Sequence, residues 1–193
     1  MRNGMMRVRT AACALLCVLC VATTGVAMAQ TSDRTAPDPA LADTVVARFV
    51  GSWAGEGWMM GRDGARSAYQ ATERVRWHLS GRRLIVEGLG TSTDAESGET
   101  IIGHDAMAVI SAHDGENTWT FTAGRDGAFN PHALTYLPDE DVFRWSPDPP
   151  DRTSVRFTIK LTDTEWHEVG EFSPNGGETW TTFLEMRLTR VGD

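Results

Sequence analysis

Residues 69–80 read YQATERVRWHLS, and their alternation decides the fold. Tyr69, Ala71, Val75, Trp77 and Leu79 fall on one face, with Glu73 interrupting an otherwise apolar row. Gln70, Thr72, Arg74, Arg76, His78 and Ser80 fall on the other. A repeat of two marks a strand with one dry face and one wet face. Residues 154–162 repeat it, with Val155, Phe157, Ile159 and Leu161 inward and Ser154, Arg156, Thr158 and Lys160 outward. Residues 179–190 place Trp180, Leu184, Met186 and Leu188 on one side. Shorter stretches of the same kind cover 52–60, 83–89, 100–110, 118–123, 128–137, 142–145 and 165–172. Turn-forming residues separate them at Gly61–Gly64, Ser80-Gly81, Ser97-Gly98, Asp114-Gly115, Asp126-Gly127, Pro138–Asp141, Pro147–Asp151 and Pro174–Gly177. Many short strands joined by tight turns imply an all-β antiparallel meander. A meander of about eight to ten strands closes, or nearly closes, into a barrel with room for one small ligand.

Upstream of Ser52 the period is helical. Asp38 caps and Pro39 opens a short N-terminal helix in which Leu41, Val45, Val46 and Phe49 share a face and Gly51 ends the run. Such a helix plugs or flanks the barrel. The barrel domain therefore covers residues 39–193, and the polar residues 30–38 before it read as a flexible leader.

The first 29 residues read as a secretory signal. Arg2, Arg7 and Arg9 make a positive start, Ala11–Val21 is apolar, and Ala27-Met28-Ala29 supplies the small-x-small pattern for cleavage before Gln30. The apolar run is too short for a bilayer core, which needs about 20 apolar residues. No stable membrane insertion is expected after cleavage. Cys17 and Cys20 each follow a leucine, and Cys13 lies too early in the apolar run, so a lipid-modified cysteine is disfavoured. A soluble periplasmic or secreted product is the expectation.

Cleavage would leave 164 residues, enough for one domain with a sizeable core. All three cysteines lie inside the signal, which excludes disulfides, a thiolate zinc site and a catalytic cysteine from the mature chain. Only three arginines leave with the signal, so fifteen basic side chains face 26 acidic ones, a net charge of −11. That surface repels phosphate backbones, and nucleic acid is not an expected partner.

Residues 51–57, Gly-Ser-Trp-Ala-Gly-Glu-Gly, resemble the first strand of calycin-type barrels. There the tryptophan closes one end and the glycines let a bent strand curl around it. The chain is most similar to the bacterial family labelled domain of unknown function 1579. The resemblance is carried by FVGSWAGEG at 49–57, WHLSGRRLIVEG at 77–88 and SPNGGETWTTFLEMRLTR at 173–190. It implies a lipocalin-like barrel and no established reaction. The Gly-x-Trp-x-Gly-x-Gly pattern also resembles the nitrobindins, haem-binding barrels that hold iron through a histidine near the end of their last strands. Residues 183–190 contain no histidine, and His167 is one strand earlier, so neither haem nor another cofactor is expected.

The candidate chemistry is sparse. His78, His104, His113, His132 and His167 show no i, i+2 or i, i+4 pairing, and no metal site is expected. His132 follows a proline within a strand, where a bulge or edge can re-aim side chains; the plainer reading is a rim residue. Glu73 could meet an arginine across the lumen or bind a polar ligand group, but the simplest expectation is a strand-end carboxylate reaching water. Seven tryptophans serve the mature chain, and those in strands either pack the core or line an apolar pocket. No nucleophile elbow, phosphate loop or dinucleotide fingerprint is present. The candidate ligand contacts are Trp58, Glu73, Trp77, Trp119, Phe121, His132, Arg144 and Trp180, with no catalytic residue singled out. The first expectation is a binding protein for a small, partly apolar molecule, oriented by a polar group such as His132 or Arg144. The alternatives are an enzyme using His132, Glu73 or His167 in the same cavity, and a structural or interaction module with a filled core.

Overall fold

The computed structural model describes residues 44–192, apart from 80, 114–117, 126–127 and 149–153. Ten antiparallel strands follow one another: β1 Gly51–Met60, β2 Arg66–His78, β3 Arg83–Thr93, β4 Thr100–His113, β5 Thr118–Arg125, β6 Ala128–Leu137, β7 Val142–Trp145, β8 Val155–Leu161, β9 Glu165–Phe172 and β10 Thr181–Gly192. Each pairs with its neighbours in sequence, and β10 pairs with β1, closing the barrel. Every expected strand is present, and the all-β closed architecture is as the alternation implies. Closure leaves no free sheet edge.

Of the expected N-terminal helix, Val45–Phe49 forms one 3-10 turn. The proposed cap Asp38, Pro39, the leader and the signal lie outside the described residues. This turn plugs one end of the barrel. Val46 and Phe49 are buried, and the Phe49 ring packs 4.8 Å from Phe143 and 5.0 Å from Trp166. Trp53 lies beside them, its indole N–H donating to the Phe49 carbonyl at 3.0 Å. Arg190 covers Trp53 from outside, 4.0 Å above the ring, and its guanidinium donates to the carbonyls of Arg48, Val50 and Asp163. The plug is thus held by both aromatic packing and charge-assisted hydrogen bonds.

The inward faces follow the alternation. Ala71 and Val75 on β2, Ile159 and Leu161 on β8, and Met186 and Leu188 on β10 are buried. Leu79, grouped with the inward row of β2, lies instead in the turn after it at positive φ and is exposed. On β10 the row is broken by a bulge between Thr182 and Leu184. The extra residue reverses the parity, so Phe183 and Leu184 both reach the interior and Trp180 does not.

Candidate functional site

Above the plug the barrel is hollow. A cavity of about 590 Å³ runs from a floor of Phe49, Ile110, Leu134 and Trp166 to a mouth near Met60, Ser92, Gly103 and Pro147. That is the size of a pocket for a small organic molecule. Its shape follows from side-chain volume. On β2 to β5 more than half of the lining residues are small, among them Ala71, Gly88, Gly90, Ala106 and Ala123. The opposite wall is aromatic. Trp145 on β7 stacks on Phe157 of β8 at 4.4 Å and Phe183 of β10 meets the edge of Phe157 at 5.8 Å, while Phe121, on β5, reaches across to within 4.9 Å of Trp145.

Two carboxyl groups sit in this apolar space. Glu73 on β2 lies opposite Gly88 on β3, and its carboxyl occupies the room a side chain there would fill. A Cβ built on Gly88 would stand 2.6 Å from the Glu73 Oε1. Glu73 keeps part of its surface accessible, but that surface faces the cavity. Among the described residues no donor and no cation reaches its carboxyl. Burial, reinforced by the charge of Glu168, pushes its pKa up to about 8. The expectation of a strand-end carboxylate in water is therefore corrected, and among the described residues no arginine meets it across the lumen. The reason is position: Tyr69 and Ala71 lie between Glu73 and the mouth, so the side chain is set deep within the wall.

Glu168 on β9 is the second. Trp166 donates its indole N–H to the Glu168 Oε2 at 3.2 Å. The Trp145 N–H also approaches this carboxyl and helps limit its shift, although it falls short of hydrogen-bond geometry and is buried without another partner. Burial outweighs both and raises Glu168 to about 7. Tyr69, lining the cavity above Glu73, is pushed up to about 12 by burial and then by the two carboxyl charges. His132 lines the same cavity 5.7 Å from Trp145, and burial lowers its pKa, favouring the neutral ring. No Arg or Lys among the described residues lines the cavity.

Of the eight residues proposed from sequence, the structure brings Glu73, Phe121 and His132 together in the cavity wall. Trp119 is buried in the core 6.2 Å from Phe143, and Trp77 packs against that core; neither lines the cavity. Trp58, Arg144 and Trp180 lie outside the barrel. Trp58 is five residues from the inward Trp53, an odd step that turns it outward, where it stacks under Arg66 at 3.7 Å and donates to Glu185. Arg144 stands between the inward Phe143 and Trp145, and pairs with Glu140 at 3.1 Å. Trp180, reversed by the bulge, stacks on Arg156 at 3.9 Å. Sequence reasoning missed Glu168, although Trp166, Glu168 and Gly170 show the same acid-on-a-dry-face signal as Glu73.

His167 faces outward, 3.0 Å from Glu185. It does not line the cavity, whereas His104 and His132 do. Among the described residues no group of three His, Cys, Asp or Glu side chains is placed to hold a metal ion.

No family model matches the chain, and no curated protein matches it. Solved structures do. One is Rv2717c from M. tuberculosis, at TM-score 0.57 and 15% identity over 80% of this chain and 98% of that one. Another is the S-type phycobiliprotein lyase CPES from Guillardia theta, at TM-score 0.52 and 15% identity over 75% of this chain and 89% of that one. At this identity the likeness is one of architecture: the described residues form a closed ten-stranded antiparallel barrel with a lipocalin-like fold.

Proposed function

We propose that this protein is an exported barrel that binds one small, partly apolar molecule in its lumen. The observation that carries this reading is the hollow interior, about 590 Å³ with an aromatic wall facing a wall of glycine and alanine. A packed interior, on which a filled-core module would rest, is not what the chain builds. The phycobiliprotein lyase among its structural neighbours is compatible with small-molecule handling in such a barrel, by analogy of fold alone. The motifs at 49–57, 77–88 and 173–190 support placement in the domain of unknown function 1579 family. The charged start, apolar run and Ala27-Met28-Ala29 support export to the periplasm or beyond.

Native mass spectrometry of protein isolated from its own cell envelope tests both halves. The expected species begins at Gln30 and carries the added mass of a bound small molecule. A chain retaining residues 1–29 would overturn export. A persistently ligand-free mass, together with no saturable uptake of the neutral probe N-phenyl-1-naphthylamine, would overturn binding.

One observation favours a second reading, an enzyme. Glu73 and Glu168 hold their protons close to neutral pH, where a carboxyl can serve as general acid or base. In that case the molecule recovered from wild-type protein would differ in covalent structure from the one recovered from the Glu168→Gln variant. Identical molecules would dismiss catalysis.

A further inference from the structure

The carboxyl groups of Glu73 and Glu168 point to the chemical class of the ligand, an inference that rests on the cavity being a binding site. Both face a lumen that is otherwise mostly apolar. Glu73 has no donor among the described residues, and Glu168 has the single bond from Trp166. A carboxylate offers about four acceptor positions. Most of that capacity is therefore unmet, in a place where leaving it unmet is costly. A fold needing only an apolar interior would have no use for these acids. The other titratable groups facing the cavity are Tyr69 on β2, His104 on β4 and His132 on β6. None of them brings a permanent positive charge.

We propose that the lumen takes a small organic cation, an ammonium carried on an aromatic or apolar body, with Glu73 and Glu168 as its counter-ions. The ammonium supplies both the charge and the donors the two carboxyls lack. The body lies against Trp145, Phe157 and Phe183, whose ring faces also favour a cation nearby. A metal ion fits poorly: calcium takes six to eight oxygens, and two carboxyls with a tyrosine fall short of it. The net negative charge of the chain, −8 with the signal included, draws cations toward the mouth. Binding displaces the protons that the empty site retains at neutral pH, so affinity for the cation rises with pH until the ammonium itself titrates. Burial disfavours the charged form of His132, which limits any opposing charge.

Calorimetric titration of the purified protein with three ligands of one shape tests this. They are 2-(1-naphthyl)ethylammonium, 2-(1-naphthyl)ethanol and 1-naphthylacetate. At pH 8 the ammonium is expected to bind at least about ten-fold more tightly than the alcohol, and the acetate more weakly than either. The ratio of ammonium to alcohol should shrink at pH 6. In Glu73→Gln and in Glu168→Gln it should fall to within about three-fold at pH 8. Equal or tighter binding of the alcohol or the acetate by wild-type protein would overturn the cation proposal and leave the binding barrel standing. A preference that survives both substitutions would overturn the assignment of these carboxyls. Failure of all three ligands to bind would remove the binding site and the cation with it. The wild-type comparison and its pH dependence need no variant, so a misfolded substitution does not decide the outcome.

Discussion

Glu73 and Glu168 resist ionisation for one reason: the barrel wall strips water from their carboxyls and supplies too few donors in return. Stability should record this. An acid whose folded pKa is raised keeps its proton after the unfolded chain has lost its own. For Glu73 the interval runs from the ordinary 4.5 to about 8, so stability declines as pH rises through it and levels off above. At about 1.4 kcal/mol per unit, and discounting for water in the cavity, the loss is on the order of 2–4 kcal/mol. The thermal midpoint of the ligand-free protein should fall by roughly 5–10 °C between pH 5.5 and pH 8.5. Glu73→Gln should flatten most of that fall in a melting series; an unchanged slope would show that the carboxyl is solvated after all. Gly88 is the companion residue. Its Cβ would meet only the flexible end of Glu73, so Gly88→Ala should change stability by no more than about 1 kcal/mol. The same substitution should displace the carboxyl and narrow the ammonium-to-alcohol ratio in titrations. The signal for Glu73 was legible as an acid in a dry row, but its depth was not, because depth depends on which strands flank it.

Strands and the short plug carry the next level of specification. Alternation located all ten strands, because each buries one face and wets the other. It also contained the answer for Trp58 and Arg144, whose neighbours Trp53, Phe143 and Trp145 point inward and leave them outside. Trp180 is different: the bulge before Leu184 reverses parity, and a bulge is set by the partner strand β9, not by the local sequence. Close approach decides Gly55 in the same way. A Cβ there would collide with the backbone carbonyl of Arg187 on β10, and backbone cannot swing aside as a side chain can. Gly55→Ala should therefore cost about 2–3 kcal/mol or more in urea unfolding, in contrast to Gly88→Ala. The plug should be equally sensitive. Phe49 packs on Phe143 and Trp166 with almost no exposure, so Phe49→Ala should lose about 3–5 kcal/mol and open the cavity floor. A loss below about 1 kcal/mol would mean that the 3-10 turn merely rests on the barrel.

At the scale of the whole molecule the barrel separates two tasks. One end is filled by Phe49, Trp53, Trp119, Phe143 and Trp166, and supplies the core. The rest is left hollow, and an occupant there should act as added core. At about a hundred times its dissociation constant, a ligand that binds only the folded state adds about 2.7 kcal/mol. For a domain of this size the thermal midpoint should rise by roughly 5–10 °C with the naphthyl ammonium at pH 8, measured by differential scanning fluorimetry. No rise at saturating ligand would show that the ammonium does not bind the folded chain in preference to the unfolded one. The sequence by itself determined the strand class, an antiparallel meander of about eight to ten strands, and that the Gly-Ser-Trp motif closes one end, because period and turn chemistry act between near neighbours. Only the tertiary structure decided that the interior is hollow, that Glu73 and Glu168 share it with no Arg or Lys among the described residues lining it, and that three of the proposed contacts face away. Those facts depend on how small residues on β2 to β5 stand across from aromatic ones on β7 to β10, and closure of the sheet sets that distance between residues far apart in the chain.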